Sequence, residues 1–195
     1  MHVIERTDDF TLVGVDAKLG KLTLFAAAGP REVGALERVV LRVRDLDAAL
    51  ARLPVEPRRY GEIAAFDVPE GLRLGLVERA GTDYDLDHVV LRLPDPGAAA
   101  ELLGRLGFSR RDGRLAVADR YLRLEPGGRS EGERPLLNHL ALLVDSAEAA
   151  REEVEAHGVE VAEFKDAANT RAVFVWGPDR IKLEYVEHKP GFALV

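Results

Sequence analysis

Five histidines and no cysteine define the chemistry open to this 195-residue chain. Without cysteine there is no disulfide scaffold, no thiol nucleophile and no thiolate-held zinc or iron–sulfur centre. Any metal must be held by imidazole and carboxylate. His88 and His139 stand at the same place in two similar strings, LDHVVLRLPD and LNHLALLVD, and Glu184 stands in RIKLEYVE. A strand turns alternate side chains to opposite faces. Val89, Leu91 and Leu93, Leu140, Leu142 and Val144, and Ile181, Leu183 and Tyr185 form apolar sets that suit burial under a helix. His88, His139 and Glu184 then share the open face. Taken singly, each reads as an ordinary strand residue. Taken together, two imidazoles and a carboxylate suit Fe(II), Mn(II), Ni(II) or Zn(II), with positions left for substrate and for water or dioxygen.

The elements that must position these residues come from a repeat. Segments starting at Leu36, Leu86 and Leu137 align, with Arg38, His88 and His139 at their third positions and a period of about 50 residues. Each reads as a Val/Leu-rich strand ending at Asp45, Asp95 or Asp145, which can cap the alanine-rich helix that follows. Pro54, Gly107 and Gly158 mark the helix ends. Three short strands then complete each unit, closing with GLRLGLVE, RYLRLE or RIKLEYVE. Residues 1–30 fit only the back half of a unit, as VIER, FTLVGVD and GKLTLFA. The fold class is therefore α+β: tandem βαβββ modules forming curved sheets, about three and a half in number, the first incomplete. The expected division is a half over 1–80 with no metal site, a metal-bearing half over 84–188, and a tail over 189–195. The incomplete module leaves a sheet edge uncovered, which predicts either a homodimer through that edge or a true start that lies upstream of this sequence.

The strings LDHVVLRLPD, LNHLALLVD and WGPDRIKLEYVE, in this unit order, resemble the vicinal oxygen chelate superfamily. That superfamily includes glyoxalases, bleomycin and fosfomycin resistance proteins and extradiol dioxygenases. The resemblance implies one divalent metal ion, Fe2+ or Mn2+ before Ni2+ or Zn2+, held by His88, His139 and Glu184. It also implies an emptied first half, because Arg38 and Gly75 stand where ligands would be. Extradiol enzymes of this type carry a tyrosine ten residues before the metal glutamate and a histidine shortly upstream. Here those places hold Phe174 and Asp166-Ala167-Ala168. Glu125, aligned with Glu184, takes the place of a fourth ligand or base in glyoxalase-like members. Tyr121 and His188 are further acid–base candidates. Arg92, Arg123, Lys182 and Phe174 are candidates for holding the substrate.

The implied function is a metal-dependent enzyme that chelates a small oxygen-bearing substrate, dioxygenase-like in layout. The alternatives are a glyoxalase-type isomerase or lyase and a non-catalytic binding protein. Other classes fit poorly. A net charge of −7 without a long basic block argues against nucleic acid or anionic lipid as the main partner. No apolar run is long enough for a membrane span, and the first residues lack signal-peptide character, so a cytoplasmic location is expected. Neither a Walker or dinucleotide glycine pattern nor a nucleophile elbow occurs. His157 suits a helix C-terminus, and His2 has no assigned role.

Overall fold

The computed structural model describes residues 1–16, 19–128 and 134–192; the last three residues of the expected 189–195 tail lie outside them. The elements are β1 (His2–Arg6), β2 (Phe10–Gly14), β3 (Leu22–Phe25), β4 (Leu36–Val43), α1 (Leu46–Leu50), β5 (Arg58–Tyr60), β6 (Ile63–Asp67) and β7 (Arg73–Glu78). They continue with β8 (Asp85–Leu93), α2 (Pro96–Arg105), β9 (Ser109–Arg111), β10 (Arg114–Val117), β11 (Arg120–Pro126), β12 (His139–Leu143), α3 (Ala147–Ala156), β13 (Val161–Asp166), β14 (Thr170–Trp176) and β15 (Lys182–His188). Three complete βαβββ modules and one partial module are present, as the repeat requires.

Local chemistry explains the helix starts. Asp45 and Asp95 accept from the amides of Ala48 and Ala98, each at 2.9 Å. In the third helix the cap is Ser146 rather than Asp145, its hydroxyl accepting from Ala149 N at 3.1 Å. Ser146 is the last residue with extended dihedrals, so its side chain is the one aimed at the free amides.

Within each complete module the first strand pairs in parallel with the last: β4 with β7, β8 with β11, β12 with β15. Modules two and three are then joined by antiparallel pairing of β4 with β8. The result is one eight-stranded sheet, β5-β6-β7-β4-β8-β11-β10-β9. Module four forms a separate sheet, β12-β15-β14-β13, and the partial module forms β1-β2-β3. The division at residues 80–84 therefore does not follow the sheets, which couple the two middle modules across it. Repeat spacing fixes what a module is; which modules pair is decided by long-range contacts that a period does not encode.

One core spans both large sheets. It takes Val39 and Leu91 from the eight-stranded sheet, Leu103 from α2, and Val173 and Leu183 from the four-stranded sheet. The Tyr185 hydroxyl donates to Leu106 O at 2.7 Å and so ties β15 to the end of α2; burial pushes its pKa up. A second cluster, Val40, Ile63, Ala65, Val77 and Val90, fills the other face of the eight-stranded sheet. Gly75 lies there because a side chain would not fit: a Cβ would stand 2.8 Å from Ile63 Cγ2 and 3.2 Å from Val40 Cγ2. Among the described residues no helix is long and apolar enough to cross a membrane.

Candidate functional site

Strand register shows which residues are equivalent between modules. Gly75 pairs with Val40, Arg123 with Val90 and Glu184 with Ala141. Val40, Val90 and Ala141 each lie two residues beyond the third position of their repeat. Gly75 is thus the counterpart of Glu184, as expected, but in module three the counterpart is Arg123 and not Glu125. The likeness of RYLRLE to RIKLEYVE sets the two strand ends two residues out of step with their register. A slip of two keeps every side chain on its face, so hydrophobic alternation gives no sign of it.

In the eight-stranded sheet His88 is shut away from solvent and the charged residues around these positions are paired with one another. His88 is 1% exposed and its ring stacks on Tyr121, with centroids 4.4 Å apart. Its Nδ1 donates to Asp87 Oδ2 at 2.7 Å, while Nε2 is buried without a hydrogen-bond partner. Burial pushes the Asp87 carboxyl up, but the bond from His88 and the charges of His88, Arg42 and Arg79 outweigh it and hold the pKa below its ordinary value. Burial, with the charge of Asp87, raises the Tyr121 phenol. Glu125 accepts from Arg38 Nη2 at 3.0 Å and lies 3.4 Å from Arg123 Nε. Arg92 pairs with Glu37 at 3.0 Å. Glu125, Tyr121, Arg92 and Arg123 are therefore engaged on the sheet that carries His88.

The four-stranded sheet is different. On its open face His139 Nε2 lies 3.1 Å from Glu184 Oε2, with side chains 18% and 17% exposed. His139 Nδ1 donates to the Asn138 side-chain oxygen at 2.8 Å. A bond on Nδ1 turns Nε2 toward Glu184 and the open side. Phe174 meets the imidazole edge-on at 5.8 Å, and Phe25 from β3 approaches it at 6.1 Å. Lys182 Nζ sits over the rings of Phe174 (5.7 Å) and Trp176 (5.2 Å). Lys21, at the start of β3, has its pKa lowered by burial, partly offset by the charges of Glu184 and Asp16. His188 stacks on Phe192 at 3.6 Å. His157 closes α3, its Nδ1 bonded to Glu153 O at 2.8 Å.

The structure brings together His139, Glu184, Phe174 and Lys182, and leaves His88 on another sheet. Among the described residues no group of three His, Cys, Asp or Glu side chains is placed to hold a metal ion. The expected triad is therefore not assembled, because β8 pairs with β4 and not with β12. The His139–Glu184 pair by itself fits. Two adjacent ligands on an ion with bonds of about 2.1 Å at right angles stand about 3 Å apart. Asn138, Phe25 and Lys21 escaped the sequence reading. Asn138 was legible as the residue before His139, but Phe25 and Lys21 reach the site only through the packing of the first module against the fourth.

No protein-family profile matches the chain, and no curated protein matches it by sequence. Solved structures do match. A Bacillus subtilis protein assigned to the dioxygenases superposes with a TM-score of 0.73 at 21% identity, covering 97% of this chain and 77% of that one. Glyoxalase I from Zea mays gives 0.71 at 18% identity, covering 91% and 78%. A variant of 4-hydroxymandelate synthase from Streptomyces coelicolor gives 0.51 at 15% identity, covering 84% and 66%. At such identities the likeness speaks for the fold.

Proposed function

We propose, for a chain that has the vicinal oxygen chelate fold, that it binds a small oxygen-bearing molecule on the open face of β12 and β15 and that His139 and Glu184 are its reacting pair. The observation that carries this is the 3.1 Å contact between His139 Nε2 and Glu184 Oε2, oriented by Asn138 and accessible from one side. A divalent ion, Fe2+ or Mn2+ before Ni2+ or Zn2+, would be held by these two side chains. It would supply a Lewis acid to polarise a substrate oxygen. Phe174 and Phe25 offer an apolar wall to the rest of the substrate, and Lys182 a positive charge to an anionic group. Glu184 is placed to hold or release a proton beside a bound carbonyl or hydroxyl, and His139 to share it. Ring cleavage of the extradiol type is less well supported, since Phe174 has no phenol to give.

A second reading, binding without catalysis, is favoured by the lack of a third donor beside His139 and Glu184 among the described residues. Titration with Mn2+, Ni2+ and Zn2+, followed by calorimetry, separates the two. Binding of one ion per chain that is lost in His139→Ala and Glu184→Gln and kept in His88→Ala is the expected result. No affinity for any of these three ions, nor for Fe2+ titrated without oxygen, would leave only the binding reading.

A further inference from the structure

Module two carries a cavity at the place where module four carries a ring. On the open face of module four Phe174 pairs across to Glu184, whereas the corresponding pair in module two is Ala65 and Gly75. Two small residues there leave a pocket of about 190 Å3 over β5, β6 and β7, with Ala65 in its lining. Pockets for drug-sized ligands start at roughly 300 Å3, so whatever fits this one is smaller.

Part of its wall is held in place by the protein itself. Arg73 donates to Asp67 at 2.9 Å and to Glu37 at 2.7 Å. The Tyr60 ring lies 5.1 Å from Arg38 Cζ, and Arg38 is in turn fixed by its 3.0 Å bond to Glu125. Two charges in the same lining are treated differently. Arg58 and Glu56 both line the pocket, yet neither side chain forms a hydrogen bond or an ion pair with any described residue, nor with each other. Val55, 43% exposed, and Phe66 add an apolar side. Arg58 and Arg73 against Glu56 and Asp67 leave the lining without net charge. A simple anion would face the two carboxylates and a simple cation the two guanidinium groups. A small molecule that carries both charges and is neutral as a whole suits the lining best.

We infer that this pocket is a binding site for a free α-amino acid with a short apolar side chain. Arg58 takes the carboxylate, a pairing that its planar fork can make bidentate, and the Tyr60 hydroxyl is a further donor. Glu56 takes the ammonium group. Val55 and Phe66 meet the side chain, which covers the exposed valine. Arg73 keeps its two carboxylates and shapes the floor rather than holding the ligand. The pocket lies on a different sheet from His139 and Glu184, so it stands whether or not those two hold a metal ion.

The test is an NMR titration of the full chain with L-valine. Saturable shifts centred on β5, β6 and the turn before β5 are expected, with one ligand per chain. Isovalerate, which is valine without its ammonium group, and isobutylamine, which is valine without its carboxylate, should each bind at least about tenfold more weakly. Arg58→Gln and Glu56→Gln should weaken L-valine binding by about the same factor. Both side chains are exposed, so the variants should melt as the unaltered chain does. His139→Ala should bind L-valine unchanged, which separates this site from the proposed pair. Absence of saturable L-valine binding, equal binding of either analogue, or undiminished binding in either variant would overturn the inference.

Discussion

The two histidines that the repeat makes equivalent should behave as opposites when removed. His88 is buried, stacked on Tyr121, and its ring donates to a buried carboxylate. His88→Ala deletes a hydrogen bond to a charged group, about 1.5–3 kcal/mol, and a ring contact of about 0.5–1.5 kcal/mol. A loss of about 2–4 kcal/mol is expected, or roughly 5–15 °C in melting temperature for a chain of this size. His139 is partly exposed and so are its neighbours Glu184 and Phe25, so His139→Ala should cost less than His88→Ala, about 1 kcal/mol. Function should follow the reverse order. Affinity for Mn2+, Ni2+ or Zn2+ should vanish in His139→Ala and persist in His88→Ala once the temperature is low enough for the variant to be folded. Urea unfolding and calorimetry on the same preparations give both quantities. If His88→Ala left stability intact but abolished metal affinity, the separation of the two histidines onto different sheets would be refuted.

Three further outcomes follow from the same geometry. Glu125→Gln leaves the 5%-exposed Arg38 without its charged partner and should cost about 1–3 kcal/mol in a urea midpoint, with part recovered in the Arg38→Met, Glu125→Leu double variant; an unchanged midpoint would refute the buried pair. Gly75→Ala should cost about 1–3 kcal/mol through its clash with Ile63 Cγ2, and should cost less in an Ile63→Ala background, which removes that methyl, measured by thermal melting; a neutral Gly75→Ala would show the face to be loosely filled. Asp87 is held below its ordinary pKa in the folded state, so the unfolded chain takes up its proton more readily. Its contribution is present above about pH 4 and is lost as pH falls through the folded value, and Asp87→Asn should flatten that part of the acid limb.

Alternation and repeat spacing made the modules legible: strand faces, helix positions and the pairing of Glu184 with the strand of His139 are where the pattern puts them. Three things were beyond it. The choice of Ser146 over Asp145 as a cap depends on one residue's dihedrals. The place of Glu125 depends on a register that a two-residue slip leaves equally satisfied. The pairing of β4 with β8, which takes His88 away from His139, depends on contacts between modules that share one sequence pattern. Near-identical modules have near-identical edges, and their pattern cannot choose between partners. The aromatic face of the site was half legible, since Phe174 lies on a strand next to β15, whereas Phe25 comes from a sheet that joins only in three dimensions.

The core-facing strands of the middle modules find all their partners close by in sequence, but the open face around His139 is made from the two outer modules. Phe25 and Lys21 must meet His139 and Glu184 across everything between them. Loop closure on that scale is slow relative to local pairing, so the middle sheet can complete its ladder before the site exists. The outer contact is also the one most readily released, since β3 has a neighbour on one side only. A ligand seated there acts as a clasp between the first sheet and the last. Its concentration would set how firmly the first sheet is held, and stabilisation on binding would be felt most at the part of the chain farthest in sequence from the proposed pair His139 and Glu184.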